Sequence, residues 1–316
     1  MVNWPHLRRE LGRFAPVASM GLVFLAIILF LRQVPWRSIR DSFLAARSGW
    51  LGIAVILTFV NIVLRALALR YLIYPAARVP LVRAIRYTIA TITGNILAPF
   101  RAGVALRGWL LMRHEGLSLS DSVAMFLLEK IADVATLLTM AAALPWLLPV
   151  FPRWALGSIA FLAVLVVASA AILLTTKGNS NFGARIRRSL APIARPSTLL
   201  MAEAATISLW LADASMVMVV LKSVGAPCSL GIAILILLAI NIAITVPTPA
   251  NGGTLEIGAV FALHSVGVSP AKAVAFAVLY HAAQVVPTLA VGVWGGPMLW
   301  QPPPGLRYRR RATEEP

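Results

Sequence analysis

Thr245-Val246-Pro247-Thr248-Pro249-Ala250-Asn251-Gly252-Gly253 cuts through an apolar stretch that otherwise runs from about residue 230 to 266. A second stretch, about 84–112, is cut in the same manner by Gly94-Asn95-Ile96-Leu97-Ala98-Pro99-Phe100-Arg101-Ala102-Gly103. Proline removes a backbone donor and glycine frees the chain from helical geometry, so neither stretch reads as one continuous helix. In hydrocarbon every backbone N–H and C=O needs a partner within the protein. A break at that depth therefore lines a cavity or is packed against other helices. Each stretch reads as a re-entrant helical hairpin, entering and leaving on the same side. The plainer alternative is two spans joined by a short loop.

The surrounding chain is built for a bilayer. Of 316 residues, 59% are hydrophobic and only 12% charged, and mean hydropathy is +0.85; soluble domains carry about 25% charged residues. Six further runs have about the length needed to cross hydrocarbon: roughly 15–31, 50–72, 122–146, 154–174, 199–221 and 271–295. The expected fold is an all-α polytopic membrane protein with six full spans and two re-entrant hairpins. The first run follows Arg8, Arg9 and Arg13, and Arg32, Pro35, Trp36 and Arg37 stand where a small-x-small cleavage site would lie, so it reads as a retained span.

The net charge of +17 sits in basic residues between the spans. That placement suits anionic lipid headgroups and not a nucleic-acid patch. A single cysteine, Cys228, excludes an intrachain disulfide, and the four histidines (His6, His114, His264, His281) have no metal-ligand spacing. No metal and no cofactor is expected. With the N-terminus inside and both broken stretches re-entrant, 17 Lys and Arg face the cytoplasm and 7 face outward, as the positive-inside rule favours. Letting the first stretch alone span, or both, turns the basic 177–195 loop outward. Within 177–198, Phe182, Ile186, Leu190 and Ile193 share one helical face, with Arg185, Arg187 and Arg188 between them. That pattern predicts a basic amphipathic helix in the cytoplasmic interface. The Pro-rich, charged tail from Gln301 to Pro316 has the composition of a disordered segment.

The two halves resemble each other. Leu128-Glu129-Lys130-Ile131-Ala132-Asp133-Val134 aligns with Leu279-Tyr280-His281-Ala282-Ala283-Gln284-Val285 at an offset of 151. Pro99-x-Arg101-x-Gly103 aligns with Pro249-x-Asn251-x-Gly253 at 150, and Asn61, Arg70 and Pro75 with Asp213, Lys222 and Pro227 at 152. The predicted organisation is a cytoplasmic N-terminus (1–14), a first membrane repeat (15–146), a second (147–295) and a cytoplasmic tail (296–316). Three spans per repeat invert the second relative to the first. Inverted repeats with matching broken helices are a transporter pattern, with the site between the halves.

Charges inside spans cost about 2.5–3.5 kcal/mol each on insertion scales. The runs nevertheless hold Arg65, Arg101, Arg107 and Lys130, with Glu129, Asp133, Asp213 and Glu256. Equal numbers of each sign imply mutual pairing, and one reading is structural: ion pairs that pin the hairpins to the bundle. The functional reading places Arg101, Arg107, Asn95, Glu129, Asp133, Asn251 and Glu256 at a lipid-headgroup or transport site, supported by Arg65, Lys130, Asp213, His281 and Gln284. Guanidinium groups bind phosphate at two points and stay charged at low dielectric, and the carboxylates orient the arginines or carry a coupling proton. His281 and Tyr280 join such a relay on this reading; a lone histidine on an apolar helix is otherwise simply packed. Pro99, Gly103, Pro247, Pro249, Gly252 and Gly253 form the hairpin breaks.

Three blocks give the chain a family resemblance: Asn95 through Arg101-x-Gly103 with Arg107; Glu129-Lys130-x-x-Asp133; and Pro247-x-Pro249 through Gly252-Gly253-x-x-Glu256, followed by Gly267. On these residues the chain resembles the lysylphosphatidylglycerol synthase transmembrane region over about 15–295. It departs from the pattern at Val104-Ala105, where a glycine or acidic residue is usual. The resemblance implies the lipid-translocating part of such proteins, without a fused aminoacyl-transferase domain. It implies membrane lipids as partners, and relatives associated with hopanoid biosynthesis or glycosyltransferases extend that to a lipid-biosynthetic enzyme. The expected function is a flippase-like translocase for an anionic or aminoacylated phospholipid, a polyprenyl lipid or a hopanoid. The alternatives are an intramembrane headgroup transferase, with Glu129 or Asp133 as base and Arg101 and Arg107 as phosphate clamp, and a non-catalytic partner of a lipid-biosynthetic enzyme. No loop exceeds about 25 residues, which leaves little room for a soluble donor's site, and no catalytic motif is present.

Overall fold

The computed structural model describes residues 36–98, 102–148, 184–186, 188–190, 195–246 and 248–294. The expected spans at 15–31 and 154–174, both termini, Pro99, Arg101 and Pro247 lie outside these residues.

The described chain is helical, with no strand. A short helix α1 (Trp36–Leu44) precedes α2 (Ser48–Ile73), α3 (Leu81–Leu97), α4 (Ala102–Glu115) and α5 (Leu119–Leu147). Then come α6 (Pro196–Ser223), α7 (Leu230–Ala243), a 3-10 turn at Pro249–Asn251, α8 (Thr254–Ser265) and α9 (Pro270–Trp294). From α2 onward the order long, short, short, long occurs twice.

Helix starts follow local chemistry. Ser118 caps α5 in a reciprocal box: its hydroxyl accepts from the Asp121 amide, and the Asp121 carboxylate accepts from the Ser118 amide. The Ser229 hydroxyl accepts from the Ile232 amide at the start of α7, and Pro196 opens α6 where its missing N–H costs nothing.

Helices α2, α6 and α9 are each long and apolar enough to cross a membrane. Helix α5, with 29 residues, is also long enough, about 44 Å at 1.5 Å per residue, but Asp121, Glu129, Lys130 and Asp133 lower its hydropathy. Large apolar side chains face outward: Ile56 is 62% exposed, Leu200 71% and Phe261 73%. Such a surface is an aggregation hazard in water and the natural face in lipid. This is a multi-pass membrane protein.

Two hydrophobic cores divide the bundle. Leu69, Tyr87, Leu110 and Met125 centre the core of α2 to α5, while Met216, Leu237, Leu263 and Phe276 centre that of α6 to α9. Helix α2 runs against α6 and joins the two. Small residues set the closest approaches. A Cβ on Gly103 would lie 1.8 Å from the Thr91 carbonyl oxygen, and one on Gly94 would lie 2.8 Å from the Gly103 Cα, so α3 and α4 meet backbone to backbone. In the second pair a Cβ on Gly258 would meet the Ala239 carbonyl oxygen at 2.7 Å.

Two elements differ from expectation. Residues 36–44, between the first two expected spans, form a helix that was not expected; Phe43 packs on the second core while Arg37 and Arg40 are exposed. The amphipathic segment expected at 177–198 ends earlier, because α6 already begins at Pro196. Within it, 184–186 and 188–190 are helical, with Leu190 buried and Arg185 and Arg188 exposed.

Candidate functional site

The inward charges form a connected row. Arg107, buried on α4, places its guanidinium 2.7 Å from Glu129 Oε2 on α5. Lys130 stands 4.0 Å from the other Glu129 oxygen and contacts Asp133 Oδ2 directly. Lys130 lies about 100° round the helix from Glu129, yet its flexible four-carbon stem reaches both carboxylates. The indole Nε1 of Trp210 donates to Asp133 Oδ1 at 3.3 Å. The row Arg107–Glu129–Lys130–Asp133–Trp210 thus runs from α4 through α5 to α6. One turn beyond Trp210, Asp213 meets Asn61 and the charge of Arg65, both on α2. Asn61 also donates to the Leu209 carbonyl at 3.1 Å, tying α2 to α6.

The second hairpin break is held separately. Ala250 and Asn251 adopt left-handed conformations with φ of 54° and 59°, and Gly253 follows at 81°. Left-handed backbone costs a non-glycine residue about 1–2 kcal/mol, so the surroundings must over-determine it. They do. Glu256 Oε2 accepts from the Gly253 amide at 2.7 Å, and Glu256 Oε1 lies 2.6 Å from His281 Nδ1. His281 Nε2 donates to the Ala250 carbonyl at 3.0 Å. That carbonyl can only accept, so Nε2 carries hydrogen, and a proton is shared between Nδ1 and Glu256. His281 is therefore a hydrogen-bonded clamp from α9 onto the break, not a merely packed ring. Tyr280 is buried, stacked on Phe276 at 5.6 Å, with its hydroxyl at Gln284.

A cavity of about 310 Å³ lies between these groups. Of the residues the sequence pointed to, Asn95, Arg107, Glu129, Asp133 and Asn251 line it, as do Arg65, Lys130, Asp213, His281 and Gln284. Glu256 is set back from the cavity wall and reaches it through His281. Gly103 and Gly253 lie at hairpin contacts. Sequence reasoning missed much of the wall: Thr58, Thr88, Thr91, Asn241, Thr248 and Thr288, with Phe126 and Trp210. Neutral groups leave no charge anomaly, although Thr88, Thr91 and Asn95 recur at 3 and 4 residues and mark one helical face. Glu203, a further carboxylate in the 199–221 run, was also overlooked; it accepts from Thr136 at 2.9 Å.

An apolar helical exterior around a polar, ion-paired cavity defines a helical membrane protein with an internal site for a polar group. The family model for the lysylphosphatidylglycerol synthase TM region matches residues 17–292, and the chain belongs to that family. No curated protein matches it. Membership makes this a membrane lipid-related protein.

Proposed function

We propose that this chain moves an amphiphilic lipid between the leaflets of a bacterial cytoplasmic membrane, with the headgroup passing through the cavity. One observation carries the reading: a cavity lined by charged and polar groups is walled by helices of both halves of the chain, inside a bundle whose exterior is apolar. A headgroup finds polar partners there, while the acyl chains stay with the apolar exterior.

The twice-repeated helix order and the paired short helices at 81–115 and 230–265 support two inverted repeats, each with a re-entrant hairpin. On that reading the halves rock about the shared cavity, and both termini lie in the cytoplasm. A transferase is disfavoured: Glu129 and Asp133 are each engaged by a cation, which leaves neither as a free base. Reconstitution into liposomes carrying fluorescent lipids, with a membrane-impermeant quencher outside, tests the proposal. Protein-dependent quenching of inner-leaflet lipid is expected, together with its loss in folded Arg107→Ala. Equal quenching in empty liposomes rules translocation out.

A further inference from the structure

We infer that the cavity takes an uncharged, polyhydroxylated headgroup, such as a sugar or polyol, and not the free phosphate that buried arginines suggest. This inference rests on the translocase reading and specifies what passes.

The first ground is charge. Arg65, Arg107 and Lys130 on the wall face Glu129, Asp133 and Asp213, and His281 faces Glu256. Among the described residues Arg107, Lys130 and His281 each stand in an ion pair, and Arg65 lies within electrostatic reach of Asp213. A phosphate that takes the place at Arg107 Nη2 must displace Glu129 from a 2.7 Å contact. That strands a carboxylate in a low-dielectric site, which is strongly unfavourable.

The second ground is hydrogen-bond polarity. The hydroxyls of Thr88, Thr91 and Thr288 each donate to a carbonyl one turn earlier in their own helix. Thr58 is within reach of Ala54 and Ala283 carbonyls. The amides of Asn61 and Asn241 donate to Leu209 and Leu237 carbonyls. With their single protons committed to backbone, the threonine hydroxyls turn acceptor lone pairs toward the cavity, while each asparagine keeps a second N–H beside its acceptor oxygen. Asn95 Oδ1, without a hydrogen-bond partner among the described residues, is buried against Gly103 in the α3–α4 contact and is no part of this acceptor set. An acceptor-rich wall calls for a ligand that brings donors. Phosphate oxygens only accept. Hydroxyls donate, and they leave those ion pairs intact. A zwitterion would have to compete with ion pairs already made along Arg107–Glu129–Lys130–Asp133.

The test is binding by the full-length protein in nanodiscs, read as thermal stabilisation. Four lipids with identical acyl chains are compared: glucosyl-diacylglycerol, phosphatidylglycerol, phosphatidylcholine and lysyl-phosphatidylglycerol. Glucosyl-diacylglycerol should stabilise most, and Asn241→Leu on α7 should weaken its binding roughly tenfold, the effect of one hydrogen-bonded group. Should Asn241→Leu fold poorly, the near-isosteric Thr88→Val on α3 serves the same purpose. Stabilisation that is greatest with any of the other three lipids, or equal for all four, overturns the inference. So does unchanged glucosyl-lipid binding in the folded variant. Because binding is read without transport, glucosyl-lipid that binds but never changes leaflet supports the headgroup assignment while defeating the translocase reading.

Discussion

Arg107 carries the residue-scale argument. Removing one partner of a buried pair leaves the other charge unmatched, at a cost of roughly 3–5 kcal/mol. Arg107→Ala and Glu129→Ala should each lower stability in detergent by that order, and the double variant by clearly less than the sum. Additive losses in chemical denaturation would mean that the 2.7 Å contact carries no coupling. Gly103 has an opposite weakness, since a methyl group would enter the space of the Thr91 carbonyl. Gly103→Ala should cost about 1–3 kcal/mol and lower the melting temperature, while Gly49→Ala, with open space around it, should not. Charge made much of this site legible from sequence, because an ion in an apolar run is costly enough to need a reason. The threonines and Asn241 gave no such signal. Their part depends on which way each helix faces, and a single apolar run does not reveal that when every side is hydrophobic.

At the scale of elements, the second break is the most constrained feature. Two non-glycine residues sit at positive φ, held through one histidine and one carboxylate. His281→Leu removes both hydrogen bonds to the ring, so peptides covering 248–256 should exchange amide hydrogen faster by roughly tenfold or more. Unchanged exchange would show that α7 and α8 hold the turn unaided. Proline and glycine announced both breaks, since neither permits an unbroken helix. The clamp was not announced: Glu256 and His281 are 25 residues apart, and nothing in their spacing shows that α8 and α9 bring them together. Helix α1 was hidden for another reason. Its nine residues include Arg37, Arg40 and Asp41, and a short charged amphipathic helix has none of the length that marks a span.

For the whole molecule, sidedness and alternation are the properties to measure. In a Cys228→Ser background, Arg185→Cys should react with an impermeant maleimide only when the cytoplasmic face is accessible, as the charge asymmetry requires. Labelling from outside in intact cells would reverse the topology. The repeated order of helices was legible because three sequence matches share nearly one offset, whereas the joining of the halves by α2 against α6 was not, since packing partners leave no periodic mark. The central claim is that the cavity opens in turn to the two sides of the membrane. Thr91→Cys and Gln284→Cys, on the cavity wall in opposite halves, test it most directly in the same cysteine-free background. Each should react with an impermeant thiol reagent applied from either side of oriented vesicles, and cavity-binding lipid should slow both reactions. Reaction from one side alone, at both positions and with every lipid, would contradict alternating access.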